Sequence, residues 1–262
     1  MERTKVGEFC WSDLSAKDID AQSRFYEGLF GWTHEDIPSG EGLPPYRMFS
    51  KDGQVVVGAG AITPDMAAAG VPTMWNVYFA TPDADAALAR ATELGGQIAM
   101  PAMEAMGTGR FAAVQDPAGG HFFVWQARSF KSAEVFGAPG SLAWVDLSTR
   151  DTGKAIEFYS AFFPTWKIDL VMQEPMNYWQ VSVDGVPEAG IMPMPPQLPA
   201  EVPSNWMLYF GSADATATVA RAKELGATVN MDVAQAGDSL VWAVLADPLG
   251  AVFAIMQSLR PM

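Results

Sequence analysis

Cys10-Trp11-Ser12-Asp13-Leu14 opens the sequence pattern that decides the fold, and the aromatic pair Phe25-Tyr26 follows it. The pattern returns as Ala143-Trp144-Val145-Asp146-Leu147, followed by a second aromatic pair, Phe158-Tyr159. The two stretches and their aromatic pairs are separated by the same 133 positions. A repeat that keeps its register over such a distance indicates two copies of one supersecondary unit.

The later part of each half repeats as well. Residues 75–79 (Trp-Asn-Val-Tyr-Phe) correspond to residues 206–210 (Trp-Met-Leu-Tyr-Phe), and Asp116-Pro117-Ala118-Gly119 returns as Asp247-Pro248-Leu249-Gly250. The duplication therefore covers essentially the whole chain, and each half contains two related units, four in all. The predicted segments are a first domain over residues 1–128, a linker over residues 129–140 and a second domain over residues 141–262.

Local signals define the elements within a unit. Residues 6–14 have the alternation of a strand, and residues 15–18 have the polar side chains that begin a helix, which Gly31 would end. Asp52-Gly53 between two apolar runs predicts a tight hairpin. Residues 63–73, rich in Ala, Gly and Pro, are predicted to be a linker inside the first half. The order predicted from these signals is β-α-β-β, twice in each half.

Composition narrows the class of function. Of 262 residues, 49% are hydrophobic and 18% are charged, which is typical of a globular protein. The sequence contains no apolar run of the roughly 20 residues that cross a bilayer, and no signal peptide is expected. The single cysteine fits a reducing compartment. A formal charge of −14 argues against nucleic acid and anionic membranes as partners. We therefore expect a cytoplasmic protein that binds a small molecule.

Two motifs resemble those of the vicinal oxygen chelate superfamily, which includes glyoxalases, bleomycin-resistance proteins and extradiol dioxygenases. They are Trp-x-Asp-Leu…Phe-Tyr-x-x-Leu-Phe-Gly-Trp over residues 11–32 and Asp-Pro-x-Gly…Phe-x-Val-Trp-Gln over residues 116–126. The chain is most similar to tandem two-module glyoxalase-like proteins of actinomycetes, some of which accompany antibiotic biosynthesis. The resemblance implies an α+β fold of tandem βαβββ modules, two per half, that form curved mixed sheets around a ligand cleft.

The resemblance also implies where a metal would bind. Metal-dependent members present His or Glu from a first strand, a middle strand and a last strand of the module. These positions align with Trp11 and Trp144, with Asn76 and Met207, and with Phe123 and Ala254 in this sequence. None of these residue types is a usual ligand of a divalent metal. We therefore expect neither the usual metal site nor another cofactor.

Asp13 and Asp146 are the best-placed carboxylates, one in each half. One interpretation is that each binds backbone amides at the turn from strand to helix. The other is that each acts as a hydrogen-bond acceptor or general base, with its pKa raised by apolar surroundings. The candidates for further proton transfer are Tyr46, Tyr178 and His121, whereas the remaining histidine, His34, is expected at the surface.

The alternation of the predicted strands places aromatic, Met and amide side chains in one cleft per half. We expect one cleft to be filled by its own side chains. Since Ala254 opposite Met207 leaves more room than Phe123 opposite Asn76, the open cleft is expected in the second half. The candidate ligand-binding residues of the first half are Trp11, Tyr46, Met48, Asn76, Tyr78, Phe123 and Trp125. Those of the second half are Trp144, Tyr178, Gln180, Met207, Tyr209, Trp242, Ala254 and Met256.

Three functions are compatible with these observations. The first is metal-independent binding of an aromatic or polyketide-like small molecule, for antibiotic tailoring or resistance. The second is an enzyme of the superfamily, a glyoxalase-type lyase, an isomerase or a hydroxylase-like catalyst, acting on a small carbonyl or aromatic substrate. A purely structural or protein-binding module ranks last, because no charged arm or amphipathic extension supports it. The sequence leaves both a monomer and a homodimer open.

Overall fold

The computed structural model describes residues 2–259 and has the α+β fold that the resemblance implies. The elements of the first half, module one, are β1 (Phe9–Ala16), α1 (Ile19–Phe30), β2 (Thr33–Ile37), β3 (Tyr46–Lys51), β4 (Gln54–Ala61), α2 (Pro64–Ala68), β5 (Met74–Ala80), α3 (Ala84–Glu93), β6 (Gln97–Ala105), β7 (Gly109–Gln115) and β8 (His121–Ala127). Those of the second half, module two, are β9 (Leu142–Thr149), α4 (Thr152–Phe162), β10 (Trp166–Met172), β11 (Tyr178–Val183), β12 (Val186–Pro193), β13 (Asn205–Gly211), α5 (Ala215–Glu224), β14 (Thr228–Ala236), β15 (Leu240–Ala246) and β16 (Val252–Ser258).

Each module forms one eight-stranded mixed sheet. The strand order is β2-β3-β4-β1-β5-β8-β7-β6 in module one and β10-β11-β12-β9-β13-β16-β15-β14 in module two. In module one, β1 and β5 are antiparallel neighbours at the centre, and each pairs in parallel with the last strand of its own unit. Each module therefore consists of two βαβββ units joined at their first strands, as the resemblance implies.

The strand that follows each major helix was not predicted from the local signals. These strands, β2, β6, β10 and β14, lie at the sheet edges, and most of their side chains are exposed. In β2 every residue but Ile37 is exposed. A strand without a buried face lacks the alternation of apolar and polar residues by which strands are recognised. The order is therefore β-α-β-β-β in each unit rather than β-α-β-β.

The helix signals predicted the ends of α1 correctly. The Asp18 carboxylate accepts a hydrogen bond from the backbone N–H of Ala21 at 2.9 Å, and Gly31 ends the helix with a φ of 69°. Residues 63–73, predicted to be a linker, include the short helix α2, which begins with Pro64 after the capping residue Thr63. Within residues 2–259, no helix has the length and apolar character needed to cross a membrane.

The two modules pack through helices that each contact the other half. Phe122 of module one contacts Phe158 and Phe162 of α4, with ring centroids 6.3 and 5.4 Å apart. In the same way, Phe25 of α1 packs edge-on against Phe253 of module two at 6.2 Å. The aromatic pairs that marked the sequence repeat are therefore part of the core between the modules.

The segment predicted as a linker, residues 129–140, packs along module one in its first part, whereas Pro139 near its end forms a bridge with Gly211 of module two. The backbone N–H of Ala133 donates to the carbonyl of Cys10 at 3.0 Å, and that of Glu134 donates to the carbonyl of Val55 at 2.9 Å. The ring of Phe130 lies edge-on against Trp11 at a centroid distance of 4.8 Å. This segment therefore contacts both halves, and the domain bounds stay a prediction.

Candidate functional site

A cavity of about 510 Å³ lies against the sheet of module one. Its lining includes all seven residues that the sequence analysis placed in this cleft, together with Asp13. They come in pairs from four strands, two positions apart, because alternate side chains of a strand point to the same face. The residues are Trp11 and Asp13 on β1, Tyr46 and Met48 on β3, Asn76 and Tyr78 on β5, and Phe123 and Trp125 on β8. Their role in ligand binding stays a prediction.

Strand register brings these side chains together. Asp13 is paired with Asn76 and Trp11 with Tyr78 across β1 and β5, while Tyr78 is paired with Phe123 across β5 and β8. Tyr78 and Phe123 stack with their ring centroids 4.7 Å apart. A polar pair therefore lies beside an aromatic wall at the middle of the sheet.

Gly58 makes room for the ring of Tyr46. A Cβ at position 58 would overlap the phenol oxygen of Tyr46, which therefore lies directly over the glycine backbone. Gly190 has the same relationship to Tyr178 in module two. A glycine within a strand often marks a close approach to its backbone, and Gly58 accommodates a side chain of the cleft itself in this way.

The Asp13 carboxylate is held by side chains rather than by backbone amides. Its Oδ1 accepts from the Asn76 amide at 2.8 Å, and its Oδ2 accepts from the phenols of Tyr78 at 2.9 Å and Tyr46 at 3.1 Å. Burial raises the pKa of Asp13, while the three donors oppose the rise. The indole N–H of Trp11 donates to Tyr46 Oη at 3.1 Å. Of the two interpretations of Asp13, these contacts match the acceptor in an apolar cleft.

The rest of the cavity wall is mostly apolar and rich in methionine. Five methionines line it, and Met103 is exposed at 48% of its surface while Met106 is exposed at 43%. Methionine side chains adapt to irregular ligand shapes at low cost. The methionines are Met48, Met66, Met100, Met103 and Met106.

Several residues that line the cavity were not predicted from the sequence. Phe111 shares the alternation that places Trp125, its partner in the sheet register, in the cleft, so periodicity could have identified it. Met100 and Met103 belong to the unpredicted edge strand β6, and Met66 belongs to the unpredicted helix α2. Phe130 lies in a segment without periodicity, and no local signal indicates that it packs over the cleft.

His121 does not reach the cavity. It is the first residue of β8, is exposed, and is absent from the described lining, although Phe123 two positions later belongs to it. His121 is on the same face of β8 as Phe123, because alternate side chains of a strand point to one face, but it lies beyond the end of the cleft. Burial of part of the ring lowers the pKa of His121. The other histidine, His34, is exposed as expected and pairs with Glu27.

Module two repeats the polar core of the cleft. Asp146 Oδ1 accepts from the phenol of Tyr178 at 2.7 Å and from the indole of Trp144 at 2.8 Å. Burial raises the pKa of Asp146, and hydrogen bonds with Tyr178, Trp144 and Tyr209 oppose the rise. The other candidates of this module, all half-buried, are Gln180, Met207, Trp242 and Met256.

The expectation that module two holds the more open cleft is wrong for the cavity described above, which belongs to module one. Ala254 is completely buried, so its small side chain leaves no open space, and the rings of Tyr209 and Trp242 lie 6.4 Å apart nearby. Module one also has Met66 on α2 and Phe130 as additional walls. The size of one opposing pair of residues therefore did not determine which cleft is open.

The residues at the aligned metal positions do not fit a metal. In module one these positions hold an indole, an amide and a phenyl ring, on Trp11, Asn76 and Phe123, and both amide hydrogens of Asn76 are donated to neighbouring oxygens. The nearby Asp13 is one carboxylate, whereas a divalent cation needs several converging donors. Within the described chain, no group of three His, Cys, Asp or Glu side chains could hold a metal ion.

Comparisons with known proteins agree with the two-module fold. The family model of the Glyoxalase/Bleomycin resistance protein/Dioxygenase superfamily matches residues 9–124, and that of a glyoxalase-like domain matches residues 144–256. The anthracycline biosynthesis protein DnrV of Streptomyces peucetius is 36% identical over 98% of this chain and 95% of its own length. CFP32 of Mycobacterium bovis, which has a provisional glyoxylase name, is 34% identical over 94% of this chain and 93% of its own length.

Solved structures share the architecture. An Mn(II)-bound glyoxalase from Novosphingobium aromaticivorans superposes with a TM-score of 0.63 over 99% of this chain and 84% of its own. Its sequence identity to this chain is 15%, so the likeness shows the fold alone.

Proposed function

This chain belongs to the Glyoxalase/Bleomycin resistance protein/Dioxygenase superfamily, and we propose that its first module binds a planar aromatic small molecule without a metal ion. The observation that carries the proposal is the cavity of about 510 Å³, in which aromatic and Met side chains surround the half-buried carboxylate of Asp13. Ligand sites of roughly 300–1,000 Å³ with apolar walls and few polar groups are typical of small-molecule binding.

The shape of the cleft supports a flat ligand. The stacked rings of Tyr78 and Phe123 form one wall, and the edge-to-face pair of Trp11 and Phe130 forms another. Planar rings gain from offset stacking or edge-on contact with such side chains at centroid distances of roughly 4.5–7 Å. A hydroxyl group on the ligand could donate a hydrogen bond to the Asp13 carboxylate.

The similarity to DnrV supports a role in antibiotic metabolism. That relative is named for anthracycline biosynthesis, and the two chains align over nearly their full lengths. We propose that this chain holds an aromatic polyketide-like compound for a tailoring step or sequesters it for resistance. The cytoplasm is the proposed location, in agreement with the single cysteine.

A second candidate is a metal-independent isomerase or lyase, and the surroundings of Asp13 favour it. Burial raises the pKa of this carboxyl, which brings a general base closer to neutral pH. Asp13 would take a proton from the carbon next to a carbonyl group and return it at the neighbouring atom. Tyr46 and Tyr78 would hold the carboxylate in place. Turnover of a hemithioacetal that persists after chelator treatment and is lost in Asp13→Asn would support this candidate.

Direct binding tests the first candidate. Chelator-treated protein is titrated with 1,2-dihydroxyanthraquinone while the Trp fluorescence is followed. We expect saturable quenching with 1:1 stoichiometry, and a loss of affinity of about tenfold or more in Met48→Trp, which fills the cleft of module one. Gln180→Trp, the matched change in module two, should retain binding. Unsaturable quenching, or equal loss in both variants, would contradict the proposal.

A further inference from the structure

We propose that the cleft of module one selects planar aromatic ligands that carry a protonated amine, and that Asp13 binds the ammonium group. The inference rests on the proposed function, because it names the class of ligand that the same cleft takes. It comes from the charges and hydrogen-bond directions inside the cavity.

The polar side chains around Asp13 direct their hydrogen atoms at one another. Tyr46 and Tyr78 donate their hydroxyl hydrogens to Oδ2, and the Asn76 amide donates to Oδ1 and, at 2.9 Å, to Ser15 Oγ. A carboxylate has about four lone-pair sites, and these contacts use three. Asp13 and the Tyr78 hydroxyl oxygen can therefore still accept a hydrogen bond from a ligand. A ligand group that donates fits this arrangement.

The charge of Asp13 has no cationic partner. Among the lining residues that the structure describes, there is no Lys, Arg or His. Glu104, the other acid at the cavity, already pairs with Arg128 at 2.6 Å and with Arg110 at 3.4 Å outside it. When it is ionised, the Asp13 carboxylate therefore has no counter-charge among the lining residues, and a ligand cation would supply one.

The aromatic walls of the cavity also favour a cationic ligand. The faces of Trp, Tyr and Phe rings carry negative partial charge and attract an ammonium group, most strongly where water is excluded. Trp11, Tyr78 and Phe123 all line the cavity with Asp13. A carboxylate on the ligand would meet both the Asp13 charge and these ring faces, so the same walls that favour a cation disfavour an anion.

The acidic chain as a whole offers a competing explanation, because a formal charge of −14 attracts any cation to the surface. The two effects differ in their dependence on salt. Attraction between exposed charges falls steeply as ionic strength rises, whereas a contact inside a cavity is screened much less. Binding is therefore compared in 0.5 M NaCl.

The experiment uses three anthraquinones that differ only in the group at carbon 2. These are aminomethyl, which is a cation at pH 7, hydroxymethyl, which is neutral, and carboxylate. We expect the aminomethyl compound to bind about tenfold or more tightly than the hydroxymethyl compound, with the carboxylate weakest. In Asp13→Asn the ratio of the first two affinities should fall to about twofold or less. Glu157→Gln removes a surface charge of the same sign and should keep the ratio.

Further variants keep the test decisive. Met48→Lys leaves Asp13 in place and adds a cation to the cleft. It should therefore invert the order of affinity of the aminomethyl and carboxylate compounds. This variant tests the inference even if Asp13→Asn does not fold. Equal affinities of the cation and the neutral compound would overturn the inference but leave the proposed function standing. A ratio lost in Asp146→Asn and kept in Asp13→Asn would also overturn it. If none of the three compounds binds, the proposed function itself fails.

Discussion

The phenol of Tyr159 in module two donates a 2.9 Å hydrogen bond to Oδ2 of Asp116 in module one. The mirror contact joins Tyr26 of module one to Asp247 of module two at 3.2 Å. Each tyrosine hydroxyl also accepts the indole N–H of a tryptophan from its own module at 2.9 Å. The aromatic pair of each half thus contacts the Asp-Pro-x-Gly turn of the other half across the interface.

Tyr159→Phe should destabilise the whole chain. The change removes a donor from the buried Asp116 carboxylate and leaves the N–H of Trp206 without its acceptor, so we expect a loss of about 2–4 kcal/mol in the free energy of unfolding. Urea denaturation measures the loss. Tyr26→Phe is the matched change in the other half and should act in the same direction. Unchanged unfolding in both variants would show that these contacts contribute little to stability.

Stability should depend on pH through Glu188. Burial raises the pKa of this carboxyl to about 7 from an ordinary 4.5, although Arg3 pairs with it and opposes the rise. Between those pH values the folded chain keeps a proton that the unfolded chain loses. The free energy of unfolding therefore falls as pH rises through this window, by at most about 3 kcal/mol.

Glu188→Gln tests this dependence. Urea denaturation from pH 4.5 to pH 7.5 should give a shallower fall for the variant than for the natural chain, by up to about 1.4 kcal/mol per pH unit. Glu201→Gln, at an exposed position, should leave the slope unchanged. Parallel curves for the natural chain and Glu188→Gln would contradict the assignment.

Gly58→Ala should disturb the cleft from beneath. The added Cβ would overlap the Tyr46 phenol, so we expect a loss of about 1–3 kcal/mol in the free energy of unfolding, and weaker ligand binding. Gly60→Ala is the matched control, because its Cβ would lie 3.8 Å from the same ring, an ordinary contact. Thermal denaturation of both variants checks the difference. Equal stability of the two would show that Tyr46 moves aside freely.

Phe130→Ala should weaken ligand binding without unfolding the chain. Phe130 is half-buried and packs on Trp11 at 4.8 Å and on Trp125 at 6.0 Å, so its loss removes one wall of the cavity. We expect the affinity for 1,2-dihydroxyanthraquinone to fall about tenfold, corresponding to the loss of roughly 1.4 kcal/mol of contact. Phe130→Leu should retain most of the affinity. A normal affinity for Phe130→Ala would place the ligand elsewhere in the cleft.

The sequence repeat and the alternation of side chains along the buried strands predicted much of the fold and of the cavity lining. They gave the four-unit fold and the side chains from four strands that surround the cavity in module one, because buried strands alternate visibly in sequence. The edge strand β2 lacked that signal, since four of its five side chains are exposed. His121 is on the same face of its strand as Phe123 but lies past the end of the cleft. The alternation along a strand predicts the face on which a side chain lies, but not whether the cleft extends to that position.

The choice between the two clefts depended on contacts that are distant in sequence. Phe130 packs over module one from a segment that has no periodicity, and α2 adds Met66 from a stretch predicted to be a linker. The partners of Tyr26 and Tyr159 were equally hidden, because each lies in the opposite half. Local patterns identify strands and helices, but they do not show which half of a duplicated chain a helix packs against.

The crossed tyrosines also have a consequence for how the chain can evolve. Since Tyr159 from module two buries the turn carboxylate of module one, the first cleft depends on the presence of the second half even if only one cleft takes a ligand. Selection for one binding site would then preserve both copies of the module. The cleft residues of the copy that binds no ligand would not be under this selection, so they would drift or acquire a separate specificity. The duplication is in this sense an irreversible step, because deleting either copy would remove part of the core of the one that remains.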